Sequence, residues 1–302
     1  MSHRGADNQN FRPRLKLVPG SSALPPASRR QPHPPRTLAI ASGKGGVGKT
    51  CLAVNLALAL SDLGTRVLVV DGDLGLGKVD VLLGTVPPLD LSHYLGGQCS
   101  LQDVITVGPA GVSFLPAGSG HGDLAVLDAV RRERLLGALV GMTGRFDLVL
   151  LDLPSGIGPN TLELARLSDE VIVVATPEPT SCTDAYAVIK QLHRSRSAEV
   201  RIVINRARAW TDAQSTYARI ARTAGTHLGA APGFLGFVPE DPAVQQAVLD
   251  QRPFVVNAPS APSTLRVREL AWRVLSEEPP GGGDRINPGL RHQPTDHPAQ
   301  AA

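Results

Sequence analysis

The sequence contains few aromatic side chains and few cysteines. Aromatic residues account for 4% of its 302 positions, and its three cysteines, Cys51, Cys99 and Cys182, form no C-x-x-C pair. Cysteines so far apart argue against a disulfide framework, and against a metal or iron–sulfur cluster held within one chain. We therefore expect a cytoplasmic protein.

Long apolar runs are also missing. No stretch reaches the roughly 18 to 20 apolar residues that a membrane-spanning helix needs. The charged, proline-rich start lacks the apolar stretch of a signal peptide. The sequence predicts neither a spanning helix nor a leader, and it leaves open a peripheral contact with the inner face of the cell membrane.

Positive charge is concentrated at the beginning of the chain. Residues 1–36 contain seven Lys or Arg and one Asp, and six prolines keep the later part of this segment extended. Removing the segment's charge of +6 from the total of +3 leaves −3 for the remainder. We expect a disordered basic arm at 1–36 and a disordered tail at 279–302, and nucleic acid is not an expected partner of the remainder.

A phosphate-binding loop follows the first apolar run, residues 38–41. Its glycines allow backbone N–H groups to surround a phosphate chain, with Lys49 on the outer phosphates and Thr50 on a magnesium ion. The spacing is G-x-x-x-x-G-K-[ST], and a helix-like run begins directly after it. We assign to the nucleotide site Gly43, Lys44, Gly45, Gly46, Val47, Gly48, Lys49, Thr50 and Cys51.

Strand-like and helix-like runs alternate from residue 37 to about 278, and 42% of the chain is hydrophobic. This alternation is typical of a single α/β domain. We predict a doubly wound, mostly parallel sheet with helices on both faces, as in P-loop NTPases.

Two further strand-like runs end in carboxylates. The run 66–70 precedes Asp71 and Asp73, and the run 146–151 precedes Asp152 and Gly156. In a parallel sheet such ends lie where ligands bind. Asp152 is expected to hold magnesium through water, and Gly156 to approach the terminal phosphate. Whether Asp71 is functional or is a structural hydrogen-bonding carboxylate stays open.

Lys44 is a second lysine inside the loop, where it could reach the nucleotide of a facing copy as an arginine finger does. The string from Lys44 to Thr50 resembles the signature of deviant Walker A ATPases of the MinD/ParA class. The resemblance implies ATP and Mg²⁺ as cofactors, an ATP-bound homodimer in which Lys44 acts in trans, and Asp73 positioning the attacking water.

Catalytic roles therefore fall to Lys44, Lys49 and Asp73, and metal binding to Thr50 and Asp152. No strong general base such as an active-site His accompanies these groups. We expect slow, regulatory hydrolysis of ATP to ADP and phosphate.

The nucleotide's base is predicted from a motif that the sequence lacks. Guanine-specific phosphate-loop proteins resemble one another in an Asn-Lys-x-Asp, but here the strand-like run 200–204 precedes Asn205-Arg206-Ala207-Arg208. Without that carboxylate the guanine N–H donors stay unpaired, at a cost of about 1–3 kcal/mol, so adenine is favoured. By resemblance to MinD, Asn205, Pro239, Glu240 and Asp241 should flank the adenine.

Longer segments resemble the FlhG (FleN) family of flagellar-number regulators. They include residues 71–84, residues 176–186, and the shorter runs 111–116 and 236–239. The resemblance implies control of flagellar number or placement. It also implies partners such as the signal-recognition-type GTPase FlhF, flagellar switch or basal-body components, or a flagellar transcription regulator.

The beginning of the chain departs from that family. An activating element resembling D-Q-A-x-x-L-R is expected there, but residues 7–14 contain Pro13, which breaks a helix beyond its first turn. Stimulation of a GTPase therefore stays open.

A ParA-type DNA partition ATPase is the alternative function. It would coat DNA through surface arginines, and its binding would weaken steeply with salt. The candidates are Arg194, Arg196, Arg201, Arg206 and Arg208. Delivery of a metal cluster is a third reading, which the missing paired cysteines disfavour.

The last helix-like run has two faces. Val267, Leu270, Ala271, Val274 and Leu275 follow a helical period and predict the core-facing stripe. Leu265 and Trp272 fall on the far side, near Arg268, and form a candidate patch for lipid head groups or another protein. No amphipathic anchor follows at the extreme C-terminus, unlike in MinD.

Overall fold

The fold is taken from a computed structural model of the chain. It describes residues 16–17, 34–118, 128–142, 144–166, 168–195 and 198–277. Apart from 16–17 and 34–36, the predicted arm lies outside the described residues, as do the element at 7–14, Arg196 and the predicted tail at 279–302. Lys16–Leu17 pair in parallel with Thr85–Val86.

Within the described residues, eight strands form one sheet in the order β10-β9-β8-β2-β7-β3-β6-β5. All pairs are parallel except β5 with β6. The strands are β1 Lys16–Leu17, β2 Arg36–Ala41, β3 Val67–Asp71, β4 Thr85–Val86, β5 Thr106–Val107, β6 Ser113–Leu115, β7 Leu148–Asp152, β8 Glu170–Ala175, β9 Glu199–Ala207 and β10 Gly233–Pro239.

Helices cover both faces of this sheet. Leu56 and Val267 lie in the core on one face, and Leu135, Ile189 and Ile220 in the core on the other. The helices are α1 Lys49–Asp62, α2 Val79–Leu82, α3 Leu91–Leu95, α4 Leu101–Val104, α5 Ala129–Val140, α6 Pro159–Arg166, α7 Pro179–Ser195, α8 Trp210–Leu228, α9 Pro242–Leu249, α10 Phe254–Asn257 and α11 Pro262–Ser276. The predicted doubly wound α/β fold is confirmed.

The central strands are continuous apolar runs because both of their faces are covered. Every residue of β3, β7 and β8 is buried. Parallel strands between two helical layers require this pattern instead of alternation. Strand order and register then bring distant segments together: Asp152 at the end of β7 is level with Asp71 of β3 and with Ile40 of β2. The phosphate loop and both carboxylates therefore meet at one edge.

The last helix, α11, packs mostly as predicted. Val267, Leu270, Ala271 and Val274 are buried, whereas Leu265 and Trp272 are 56% and 59% exposed. The prediction for Leu275 is wrong, because 42% of its surface is exposed. Leu275 lies about 80° around the helix from Val267 and so falls at the margin of the stripe. No helix of the described ranges is both long and apolar enough to cross a membrane.

The arginines of the DNA-binding alternative do not form one surface. Arg201 was expected at the surface, but it is 3% exposed and its guanidinium binds the buried carboxylate of Glu170. It lies in β9 near the amino end, whereas Arg206 and Arg208 follow at the carboxyl end, several residues and roughly 20 Å along the strand. A continuous basic surface is therefore not built from this set.

Candidate nucleotide site

The loop from Gly43 to Gly48 has a backbone that only glycine supports at two positions. Gly48 has a φ of 88°, and a Cβ atom added there would lie 2.3 Å from Asn205 Nδ2. A Cβ atom on Gly43 would lie 2.1 Å from the carbonyl oxygen of Asp184 in α7. Because both additions clash, the loop is packed closely against β9 and α7.

Lys49 and Asp152 form a buried ion pair beneath the loop. Lys49 Nζ lies 2.7 Å from Asp152 Oδ1, and the two side chains are 9% and 1% exposed. Burial raises the pKa of Asp152, while Lys49 and the Thr50 hydroxyl counter the rise. The residues predicted to hold the phosphates and the magnesium ion are therefore in mutual contact.

Asp71 organises the segment that follows β3. Its carboxylate accepts hydrogen bonds from the N–H groups of Asp73, Lys78 and Val79, at 3.2, 2.7 and 3.0 Å. Burial raises the pKa of Asp71 to about 7, and the nearby Asp152 adds to the rise. The loop 73–78 thus wraps around one carboxylate and leaves Asp73 partly exposed, with Lys78 Nζ 3.8 Å from it.

Backbone hydrogen bonds attach the loop after β7 to its neighbours. The Gly156 N–H donates to the Ser42 carbonyl at 2.7 Å, and the Gly72 N–H donates to the Asp152 carbonyl at 2.8 Å. Gly156 has a φ of 92°, which suits glycine. These contacts place all three strand-end loops in one hydrogen-bonded layer.

Lys44 is bound to residues outside the Lys49–Asp152 pair. Its Nζ lies 2.7 Å from Glu178 Oε2, between β8 and α7, and 3.4 Å from Thr180 Oγ1, in the first turn of α7. The two charged side chains are 42% and 58% exposed. The pKa of Glu178 is lowered by this contact with Lys44. The second lysine therefore lies on the open surface, bound to its own chain.

A cavity of about 470 Å³ adjoins the loop. It brings together six residues that the sequence assigned to the nucleotide site: Gly48, Cys51, Asn205, Pro239, Glu240 and Asp241. The sequence reasoning missed the rest of the wall, which consists of Leu52, Arg206, Val238, Val244, Gln245, Val248, Leu249 and Phe254. The sequence shows no motif for the part of the wall that α9 and α10 contribute, since mostly ordinary apolar residues form it.

The polar residues of the cavity are fixed in different ways. Asn205 Nδ2 donates to the Val47 carbonyl at 2.7 Å, which joins β9 to the loop. The Asp241 carboxylate accepts from the N–H groups of Ala243 and Ser263, so its side chain caps α9. Partial burial raises the pKa of Asp241, but these hydrogen bonds outweigh that effect and hold the pKa below its ordinary value. Asp241 thus shapes the wall with its carboxylate already engaged.

These residues fit a nucleotide with magnesium. The loop is a cradle that added Cβ atoms would fill, a buried lysine and an acid lie under it, and a cavity wide enough for a base lies beside it. Burial raises the pKa of the Cys51 thiol to about 11, so it lines the cavity as a neutral group. Among the described residues, no group of three His, Cys, Asp or Glu side chains is arranged to hold a metal by itself.

Comparison with known proteins identifies this architecture. Residues 34–275 match the ParA family, described as NUBPL iron-transfer P-loop NTPases. The chain belongs to the ParA/MinD family of P-loop NTPases. It is 38% identical over 245 residues to the antiactivator FleN of Pseudomonas aeruginosa, across 81% of this chain and 88% of FleN.

Two further relatives agree with this family. The flagellum site-determining protein YlxH of Helicobacter pylori is 28% identical over 255 residues, 84% of this chain and 86% of YlxH. The septum site-determining protein MinD of Pyrococcus horikoshii OT3, solved with Mg-ADP, superposes with a TM-score of 0.65 at 26% identity, over 80% of this chain and 96% of that one. The family resemblance read from the loop is confirmed.

Proposed function

We propose that the chain is a slow ATPase that works as a dimerising switch, in which two copies face each other when each holds ATP and Mg²⁺. The observation that carries this proposal is the position of Lys44. Lys49 and Asp152 form a buried ion pair within one subunit, whereas Lys44 lies outside that pair with its side chain 42% exposed. A cation in that place is available to bind the phosphates of the nucleotide held by a facing copy.

Each residue has a distinct role in this proposal. Lys49 binds the outer phosphates, Thr50 and Asp152 hold the metal ion, and Asp73 orients the attacking water. Bound magnesium supplies charge neutralisation at the phosphate oxygens. Asn205, with the cavity wall after β10, holds the adenine. An aspartate carboxylate such as that of Asp73 is a weak general base near neutral pH, so proton removal is inefficient and turnover is slow.

The contact between Lys44 and Glu178 is weak enough to be exchanged. Ion pairs between solvent-exposed side chains contribute little to stability, because water competes for both charges. Formation of the dimer therefore needs only a change of partner for Lys44, from its own Glu178 to the phosphates across the interface.

The experiment separates binding, dimerisation and hydrolysis. Lys49→Ala should abolish ATP binding, Lys44→Ala should bind ATP but fail to dimerise, and Asp73→Ala should accumulate as the ATP-bound dimer. Calorimetry, light scattering with a slowly hydrolysed ATP analogue and phosphate release measure the three steps. Lys190→Ala, which changes a lysine of α7 outside the site, is the control. A single subunit with the analogue at every concentration would refute the switch.

Control of flagellar number or placement is the proposed output. The support is the similarity to FleN and to YlxH, whose name describes a flagellum site-determining protein. Partners of the proposed switch are then FlhF, flagellar switch or basal-body components, or a flagellar transcription regulator. Counting flagella in cells that carry Lys49→Ala tests this output. An unchanged number and position of flagella would contradict it.

A peripheral contact with the cell membrane is proposed for the outward face of α11. Leu265, Trp272 and Leu275 are exposed there, and Arg268 lies between them with its Nη2 3.9 Å from Asp62. An exposed apolar stripe with arginine beside it fits the boundary between lipid head groups and acyl chains. Sedimentation with anionic liposomes should lose the ATP-dependent bound fraction in the double variant Leu265→Ser, Trp272→Ser. Equal sedimentation of both proteins would remove the proposal.

A further inference from the structure

An aromatic cluster lies at the outer edge of the sheet, beside β10. Trp210, the first residue of α8, places its ring centroid 5.6 Å from that of Phe234 and 5.7 Å from that of Phe237. Tyr217 packs at 4.7 Å from Phe234, and the guanidinium of Arg266 in α11 lies 5.0 Å from the Phe237 ring centroid. A chain with few aromatic residues thus gathers four of them in one place.

Trp210 is the most exposed member of the cluster. Phe237 is buried and Phe234 and Tyr217 are partly buried, whereas 46% of the Trp210 surface is exposed. An indole held against two other rings has few rotamers left to lose, so a partner that covers it gains contact area at a small entropic cost. Exposed tryptophan with arginine nearby is the composition that dominates the binding energy of protein interfaces.

The edge of β10 is not arranged to receive another strand. β10 is the terminal strand and pairs with β9. Arg273 Nη1 donates to the Leu235 carbonyl at 3.0 Å, which removes an acceptor from the middle of that edge. Strand addition needs such groups. Recognition at this surface therefore depends on side chains.

Positive charge borders Trp210 on the preceding loop. Arg208 is exposed, and its backbone N–H donates to the Asp212 carboxylate at 3.0 Å. In the described ranges, no carboxylate forms a salt bridge with the guanidinium of Arg208. Arg266, by contrast, is paired with Glu269 at 2.6 Å. The loop thus offers one cation to a partner, two residues from an exposed indole.

We propose that Trp210 and Arg208 form a docking site for an acidic peptide segment with one apolar anchor side chain, contributed by a partner protein. The anchor covers the indole, and a carboxylate of the partner pairs with Arg208. Charge complementarity favours this occupant over nucleic acid. The chain beyond the basic arm carries a net −3, so it lacks the extended positive surface that a phosphate backbone requires.

Selection from a random peptide library tests the proposal while the partner is still unidentified. The full chain is the bait, Trp210→Ala is the counter-selection bait, and Trp272→Ala, which removes the other exposed tryptophan, is the matched control. Selected peptides should be rich in Asp and Glu around one apolar residue. Their affinity should fall about tenfold or more with Trp210→Ala and with Arg208→Glu, and should be unchanged with Trp272→Ala.

Arg208→Glu keeps the test decisive if Trp210→Ala loosens the aromatic cluster, because Arg208 is exposed and uses only its backbone N–H in the fold. Selected peptides that are neutral or basic would overturn the proposal. So would acidic peptides that bind the Arg208→Glu variant as well as the parent. Single-stranded DNA that binds in a Trp210-dependent manner, with no peptide doing so, would assign the surface to nucleic acid instead.

Discussion

Breaking the ion pair between Lys49 and Asp152 should destabilise the nucleotide-free protein far more than removing the pair as a whole. The two side chains are 9% and 1% exposed, and their charged atoms are 2.7 Å apart. Asp71 is also buried and lies level with Asp152 on the neighbouring strand. Lys49 is therefore the cation that compensates the buried Asp152, and Asp71 adds a second buried acid beside that pair.

The loss of unfolding free energy in each variant depends on which charge the substitution leaves unpaired. Lys49→Met strands Asp152 beside Asp71, and such a loss costs on the order of 3–5 kcal/mol of unfolding free energy. Asp152→Asn keeps a side-chain oxygen that can accept a hydrogen bond from the ammonium of Lys49, so we expect a smaller cost of about 1–3 kcal/mol. In the double variant neither charge of the pair is present. Its loss should fall short of the summed single losses by about 2 kcal/mol or more.

Urea unfolding of the nucleotide-free proteins, followed by circular dichroism at pH 7.5, measures this cycle. A second measurement at pH 5.5 checks the cause. In Lys49→Met the pKa of Asp152 should rise further above its unfolded value, so the folded variant binds a proton at the lower pH. The difference in unfolding free energy between the parent and Lys49→Met should therefore be smaller at pH 5.5 than at pH 7.5.

Two results would refute the reasoning. Additive losses within about 0.5 kcal/mol would mean that the two groups do not depend on each other in the folded protein. A deficit of Lys49→Met that stays constant between the two pH values would mean that the stranded acids do not take up a proton.

Three other predictions concern the same site. Asp71 has a folded pKa of about 7 against an ordinary 3.8, so its contribution to the free energy of unfolding is present below pH 3.8 and is lost as the pH rises to 7. In urea titrations, the stability of Asp71→Asn relative to the parent should therefore increase by roughly 2–3 kcal/mol between pH 5 and pH 8. A relative stability that does not change with pH would contradict the shift. Gly43→Ala should lower the melting temperature of the nucleotide-free protein by several degrees, because the added Cβ meets the Asp184 carbonyl. Gly45→Ala is the control and should leave the melting temperature unchanged, since the nearest atom to its added Cβ is 3.6 Å away. Equal melting curves for the two variants would disprove the close packing at Gly43. Asn205→Ala should weaken ADP binding about fivefold to tenfold by calorimetry, since the loop loses one hydrogen bond, and an unchanged affinity would separate this residue from the site.

Much of the nucleotide site was predictable because its determinants are local. The glycine spacing between residues 43 and 48 specifies a turn that few other sequences adopt, and apolar runs before Asp71 and Asp152 indicate strands that end at one edge of a parallel sheet. Asn205 and Pro239 were instead assigned by resemblance to MinD, and both line the cavity that adjoins the loop.

Other features had no local signal. Arg201 was expected among the surface arginines of the DNA-binding alternative, but Glu170, 31 residues away, gives it a buried partner. Leu275 followed the helical period but lies where the stripe reaches its margin. Trp210 carried no motif, and its importance depends on Phe234 and Phe237, which only the fold places beneath it.

The sequence by itself determined the type of each central strand and the shape of the phosphate loop, since burial on both faces demands continuous apolar runs and a tight anion cradle demands glycine. Only the tertiary structure decided which side chains meet. Asp71 lies beside Asp152 and Asn205 holds Val47 across 158 residues because parallel pairing aligns strand ends that the chain order separates. Strand pairing is a property of the assembled sheet, and because β2 pairs with β8, Lys44 after β2 lies beside Glu178 after β8.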